Sequence, residues 1–272
     1  MRRPLSRRWV DRADVYRRIA SAQPLLLCVD YDGTLTPIAK HPSQARLSVA
    51  TKRWLKRLAD LPEVRVVLVS GRAILDLKRM VGIRGLCYVG NHGLELQGPG
   101  LRYLNPVAQA RRHYLTRLAG QVARALRPIP GVELENKGLT FSIHWRNIPR
   151  SSHRRFHRLV AHALSPHLSS GAVRVTTGKR VIEIRPPVTW DKGRIITWHL
   201  RHGTGRALNT TPFVVYLGDD QTDEDAFRTV NRRRGLSVLV GRPSRRTAAS
   251  YGLRSPADVT RWLQSVTSAR TP

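Results

Sequence analysis

Twice in this 272-residue chain a continuous apolar run ends directly in a cluster of carboxylates. Leu25-Leu26-Leu27-Cys28-Val29 leads into Asp30 and Asp32. Phe213 to Leu217 leads into Asp219, Asp220 and Asp223, with Glu224 and Asp225 just beyond. A short run without polar alternation reads as a strand buried on both faces, and such strands belong to parallel sheets covered by helices. Val64 to Val69, Cys87 to Val89 and Val238 to Val240 read the same way. Helical patterns separate them. One starts at a Ser48 cap and carries Val49, Trp54, Leu55 and Leu58; another holds Ala226, Phe227 and Val230. The alternation predicts an α/β fold with a parallel sheet.

The middle of the chain has a different rhythm. A helix is predicted from about 106 to 126, then strands at Val132 to Glu135 and Leu139 to Trp145, a further helix, and strands at Ala172 to Val175 and Val181 to Ile184. Alternating polarity on these strands predicts an antiparallel sheet with one face covered by helices. Residues 106–186 are therefore read as a small α+β domain inserted into a larger one formed by 1–105 and 187–272, with the stretch after Ser265 loose. The two cysteines, Cys28 and Cys87, lie in apolar strands, so buried thiols are expected over a disulfide.

Charge narrows the classes less than it first suggests. Lys and Arg number 48 against 18 Asp and Glu, a formal net charge of +30, with arginine outnumbering lysine 41 to 7. Such a surface attracts anions. Yet the basic residues lack close aromatic interleaving, and no helix-turn-helix or zinc spacing is present, so no specific nucleic-acid partner is expected. No apolar run approaches the ~20 residues that span a bilayer, and the Arg-rich start has no apolar signal region. The expectation is a soluble cytoplasmic protein without a membrane partner.

Scarce carboxylates at two strand ends are informative, because ligands of open parallel sheets bind at the carboxyl ends of strands. Converging carboxylates repel unless a cation holds them, and an all-oxygen set suits Mg2+. One cluster alone, Asp219 to Asp225, could merely favour a helix N-terminus; the pair calls for more.

Asp30 opens the string DYDGTLTPI, residues 30–38. It resembles the first motif of haloacid dehalogenase-type phosphatases, in the form found in trehalose-6-phosphate phosphatases. A carboxylate at the end of a rigid strand is a positioned nucleophile. Asp32, two residues on, points to the same side, and Gly33 permits the turn. The resemblance implies that Asp30 attacks phosphorus, while Asp32 protonates the leaving sugar oxygen and then activates water.

The other motifs follow in order. VLVSGR, residues 67–72, supplies Ser70 for a phosphoryl oxygen, though Ser70 also reads as an ordinary helix cap; Gly71 and Arg72 join it as substrate contacts. Lys192 in WDKG, residues 190–193, matches the cation that neutralises the phosphoryl group. GDDQTDEDAF, residues 218–227, matches the last motif. It implies Mg2+ bound by Asp30, the Asp32 carbonyl and Asp219, with Asp220 and Asp223 acting through water or further out.

The resemblance further implies a Rossmann-like core with a C2-type cap. Within the cap, ENKGLTFSIHWR (135–146) and GKRVIEIRP (178–186) resemble the segments that grip sugar hydroxyls. They nominate Glu135, Lys137, Arg146, Lys179 and Glu183, with Lys179 and Glu183 expected on one strand face. His144 reads equally as structural. Asn91-His92-Gly93 is similar to a loop near the phosphate and nominates His92, although Asn91 stands where family members often carry Glu. The implied reaction is Mg2+-dependent hydrolysis of trehalose 6-phosphate, the last step of trehalose biosynthesis, with a trehalose-6-phosphate synthase as a possible partner. The alternatives are a phosphatase of another sugar phosphate, of sucrose or glucosylglycerol type, and a basic polyanion-binding protein with a vestigial site.

Overall fold

The computed structural model describes residues 8–10, 13–39, 41–178, 180–203, 211–242 and 246–271. They form two compact units, one running to Tyr103 and resuming at Trp190, the other spanning Leu104–Thr189. The first begins with β1 (Arg8–Trp9), α1 (Ala13–Ala20), β2 (Leu25–Asp30), α2 (Val49–Ala59), β3 (Val64–Val69), α3 (Ile74–Val81) and β4 (Cys87–Gly90). Two short strands follow, β5 (Glu95–Gly98) and β6 (Leu101–Leu104). The second unit holds α4 (Pro106–Ala110), α5 (Arg112–Leu126), β7 (Glu133–Asn136), β8 (Phe141–His144), α6 (His153–Ser169), β9 (Arg174–Gly178) and β10 (Val181–Arg185). The first then resumes with α7 (Lys192–His202), β11 (Phe213–Gly218), α8 (Glu224–Arg232), β12 (Leu236–Val240), β13 (Tyr251–Leu253) and α9 (Pro256–Arg270).

The large sheet has the order β1-β13-β12-β11-β2-β3-β4-β5-β6. Pairings from β1 through β4 are parallel, and β5 runs antiparallel to β4. From β2 the chain moves outward through β3 and β4 on one side, and it returns to place β11 and β12 on the other. The strand order therefore reverses between β2 and β11, and the crevice at their carboxyl ends is where such sheets bind ligands. Parity along the strands sorts the core. Leu25, Leu27, Val29, Val215 and Leu217 pack with Leu55, Leu77, Trp262 and Leu263 from α2, α3 and α9. Leu26, Cys28, Val214 and Tyr216 pack with Ile195, Ile196, Phe227 and Val230 from α7 and α8. Asp30 has the parity of Leu26 and Cys28, so it faces the α7 and α8 side.

Several expectations change. Ser70 does not cap a helix: α3 begins at Ile74 after Ala73. The C-terminal stretch is ordered helix to Arg270, because Val259, Trp262, Leu263 and Val266 of α9 belong to the core. The predicted 106–126 helix is two helices, divided at Arg111. Cys28 and Cys87 each pair with Val67 from opposite sides. Two strand spacings of ~4.8 Å separate them, beyond the ~7 Å that a disulfide bridges, and both are buried free thiols.

In the second unit the sheet order is β7-β8-β10-β9, all antiparallel. Phe141, Ile143, Ile182 and Ile184 pack on Leu118 and Val122 of α5 and on Phe156 and Val160 of α6. The alternate positions make the opposite face polar.

His199 on α7 is buried, and neither ring nitrogen finds a hydrogen-bond partner among the described residues. Burial, aided by Arg65, pushes its pKa from 6.5 down to about 4. The unfolded chain thus binds a proton that the native state refuses, and stability falls as pH drops from 6.5 through 4, by about 3 kcal/mol for this group. Urea midpoints measured across that window should decline in the wild type, and His199→Leu should remove this component of the decline.

Candidate active site

Lys192 is the first residue of α7, whose cap is Asp191 accepting from the Arg194 backbone N–H at 2.8 Å. Its ammonium lies 2.6 Å from Asp30 Oδ1 at the end of β2 and 2.7 Å from Asp223 Oδ1 ahead of α8. All three side chains are under 10% exposed, at 3%, 7% and 0%. Burial disfavours the ammonium, but Asp223 and Asp30 outweigh it and hold Lys192 charged, its pKa above the ordinary lysine value. Burial raises the Asp30 carboxyl, Lys192 opposes the rise, and Asp223 and Asp219 add to it.

Asp223 is saturated. Oδ1 accepts from Lys192 and from the Tyr216 hydroxyl at 2.6 Å, and Oδ2 accepts from the backbone N–H groups of Asp219 and Asp220 at 3.1 and 3.0 Å. It therefore shapes the loop after β11 and anchors Lys192. Asp219 lies against Gly33, where φ is +87° and an added Cβ would sit 2.3 Å from its carboxylate. Glycine is required there twice over, for the left-handed turn and for the close approach. Asp30, Asp219 and Asp223 each bring an oxygen within 4.8 Å of the others, and this hard, all-oxygen set is chemically suited to a divalent cation. Asp220 caps the turn Gln221–Asp223, accepting from the Gln221 N–H at 2.6 Å.

Asp32 is held by a fork. Arg72 Nε and Nη2 donate to its two oxygens at 2.7 and 2.6 Å, and the guanidinium lies 5.6 Å from the Tyr31 ring centre. Ser70, buried at the end of β3, accepts through Oγ from the Arg72 N–H at 3.2 Å. Gly71 passes beneath His92, whose ring would lie 2.4 Å from an added Cβ. Asn91 and His92 both take left-handed backbone, with φ of 48° and 55°.

Two residues outside the sequence reading complete this region. Glu95 Oε1 accepts from the Ile74 N–H at 2.9 Å and from Asn91 Nδ2 at 2.7 Å, joining the loop after β3 to the Asn91-His92-Gly93 turn. Tyr216 braces Asp223 from within β11. A carboxylate one turn after Asn91 was the available signal for Glu95. Tyr216 is indistinguishable in sequence from a core aromatic.

In the second unit, register places Glu135, Ser142, Glu183 and Thr176 in one row across four strands, on the face away from α5 and α6. Glu183 Oε1 accepts from Thr140 Oγ1 at 3.1 Å and pairs with Lys137 at 3.4 Å. His144 Nε2 lies 3.0 Å from Glu135 Oε2. Arg146 is exposed beyond the end of β8. Lys179 lies outside the described residues, and Glu183 sits at the third position of β10.

Removing the ammonium would strand two buried carboxylates. Lys192→Met should lower the unfolding free energy by about 3–5 kcal/mol, whereas Arg194→Met, exposed on the same helix, should change it by less than ~0.5 kcal/mol. Urea denaturation of both variants at neutral pH checks the contrast.

Residues 28–257 match the family described as Trehalose-phosphatase. The trehalose-phosphate phosphatase of Mycobacterium tuberculosis (strain ATCC 25618 / H37Rv) is 37% identical over 249 residues, covering 89% of this chain and 60% of that protein. A probable trehalose-phosphate phosphatase H of Arabidopsis thaliana is 30% identical over 94% of this chain and 75% of its own length. The C-terminal domain of a Candida albicans trehalose-6-phosphate phosphatase superposes with a TM-score of 0.82 at 25% identity, covering 96% of this chain and 99% of that one. The chain spans about 60% of the length of the mycobacterial relatives. Its fold is haloacid dehalogenase-like, and the chain belongs to the trehalose-phosphatase family.

Proposed function

We propose that the chain is a Mg2+-dependent phosphatase that hydrolyses trehalose 6-phosphate to trehalose and phosphate. The observation that carries the reading is the buried Lys192 bridging Asp30 and Asp223 beside Asp219, at the crevice where the strand order reverses. Asp30 attacks phosphorus, and the bond to the sugar oxygen breaks as Asp32 gives that oxygen a proton. Asp32 then takes a proton from water, which attacks the aspartyl-phosphate, frees phosphate and restores Asp30. Ser70 and Lys192 hold phosphoryl oxygens. Arg72 orients Asp32 until the phosphoryl dianion draws the guanidinium away. Asp30 and Asp219 would hold Mg2+, which would supply positive charge to offset the phosphoryl oxygens.

Residues 106–186 serve as the sugar-reading domain. A non-reducing disaccharide offers many hydroxyls and no charge, and interleaved carboxylates and cations such as Glu135, Lys137 and Glu183 can accept from and donate to neighbouring hydroxyls. A trehalose-6-phosphate synthase would supply the substrate, in a reducing cytoplasm that suits two free thiols. No helix among the described residues is long and apolar enough to cross a membrane.

Asp30→Asn should abolish turnover in a folded protein, and EDTA should silence the wild type until Mg2+ is restored. Near-native hydrolysis by Asp30→Asn would sink the mechanism. Glu183→Ala should lower kcat/KM for trehalose 6-phosphate at least tenfold more than for p-nitrophenyl phosphate, because the contacts it loses depend on the sugar. A panel of trehalose, sucrose and glucosylglycerol phosphates identifies the substrate: preference for either of the latter two would replace trehalose in the reading, and inactivity on all three would remove it.

A further inference from the structure

A cavity lies between α7 and α8, and its lining includes none of Asp30, Lys192, Asp219 and Asp223. Its volume is about 500 Å³, within the ~300–1,000 Å³ of small-molecule sites. Arg194, Trp198 and Arg201 line it at i, i+4 and i+7 of α7, and Asp225, Arg228 and Arg232 at i, i+3 and i+7 of α8. The helices are fixed together at Gly193, where an added Cβ would sit 2.5 Å from the Asp225 carbonyl and the Thr229 hydroxyl. The groove is therefore a rigid feature of the core.

Its two ends differ chemically. At one, Asp225 pairs with Arg228 at 2.9 Å and Asp191 with Arg194 at 3.6 Å, giving a neutral, hydroxyl-matching set of acceptors and donors. At the other, Arg201 and Arg232 stand two turns along, and the lining residues there include no carboxylate. Two guanidinium groups suit a phosphate or carboxylate that accepts bidentate bonds. Trp198, midway along α7, and Trp190, beside the Asp191 end, contribute the apolar part of the lining. Trp198 already carries Tyr103 on one side, at 4.8 Å, and a stacked His202, at 4.4 Å. Seven residues of helix span about 10 Å, room for one sugar unit and its charged group and too short for a polymer.

We propose that this groove binds an anionic sugar, its hydroxyls against the Asp191 and Asp225 end and its phosphate or carboxylate on Arg201 and Arg232. The inference stands apart from the reaction proposed above, because none of these groups belongs to the phosphate-transfer machinery.

Calorimetric titration with glucose 6-phosphate, and with glucose and inorganic phosphate separately, tests it. The wild type should bind glucose 6-phosphate at least tenfold more tightly than either fragment. Arg201→Glu/Arg232→Glu should lose at least tenfold in affinity with an unchanged thermal midpoint. Arg201→Gln/Arg232→Gln, the milder change, should lose at least threefold. Arg53→Glu/Arg57→Glu, the same charge change on the exposed face of α2, should retain affinity. Unchanged binding in the groove variants, an equal loss in the α2 variant, or equal affinity for inorganic phosphate would each overturn the proposal, the last by showing an adventitious anion only.

Discussion

One ammonium group, sealed from water between two carboxylates, governs the arrangement of the core. Burying a lone charge costs several kcal/mol, so Asp30 and Asp223 reach 7% and 0% exposure only because Lys192 lies between them. Asp30 ends a strand, Asp223 lies in the turn before α8, and Lys192 begins α7. The triangle therefore sets how α7 and α8 seat on the sheet as well as where the Asp30 carboxylate points. The packing of Gly193 on α8 and the saturation of Asp223 by four donors follow from the same constraint.

The parts of the molecule legible in sequence are those written in continuous apolar runs. β2, β4 and β11 are buried at nearly every position, and β3 and β12 are each broken by one polar residue, Arg65 and Ser237, so the apolar runs stand out. β5 and β6 are short, partly exposed and carry Glu95, Gln97 and Arg102, which leaves no periodic signal. β1 and β13, of two and three residues, are too short to show one. The motif residues could be named because the chemistry demands those side chains in that order. Their partners could not be, since which donor fills a carboxylate depends on tertiary proximity. Asp32 with Arg72 and Asp223 with Tyr216 are pairings that only the fold reveals. That Asp220 caps the turn Gln221–Asp223 is likewise visible only in the fold.

The strongly basic composition conceals an economy in the acidic residues. Between residues 104 and 189 only Glu133, Glu135 and Glu183 are acidic. Strand register puts all three on the same face of the small sheet, away from the helices. Their placement, more than the formal charge of +30, sets the acid-bearing sheet face of this unit apart from the rest of its arginine-rich surface.

The pair at the centre of the core also has a consequence for how the protein comes into being. Asp30 and Lys192 are 162 positions apart, and the whole inserted unit lies between them. During synthesis the end of β2 emerges long before the cation that neutralises it, so a growing chain holds a strand that is apolar along its length and charged at its tip, with β11 not yet made to cover its edge. The inserted unit has its own apolar core and can order first. The sheet around Asp30 must wait, its closure delayed by loop entropy and by sequence distance. Formation of this buried pair is thus tied to near-completion of the polypeptide, and fragments that end inside the insertion cannot hold this carboxylate buried against its cation.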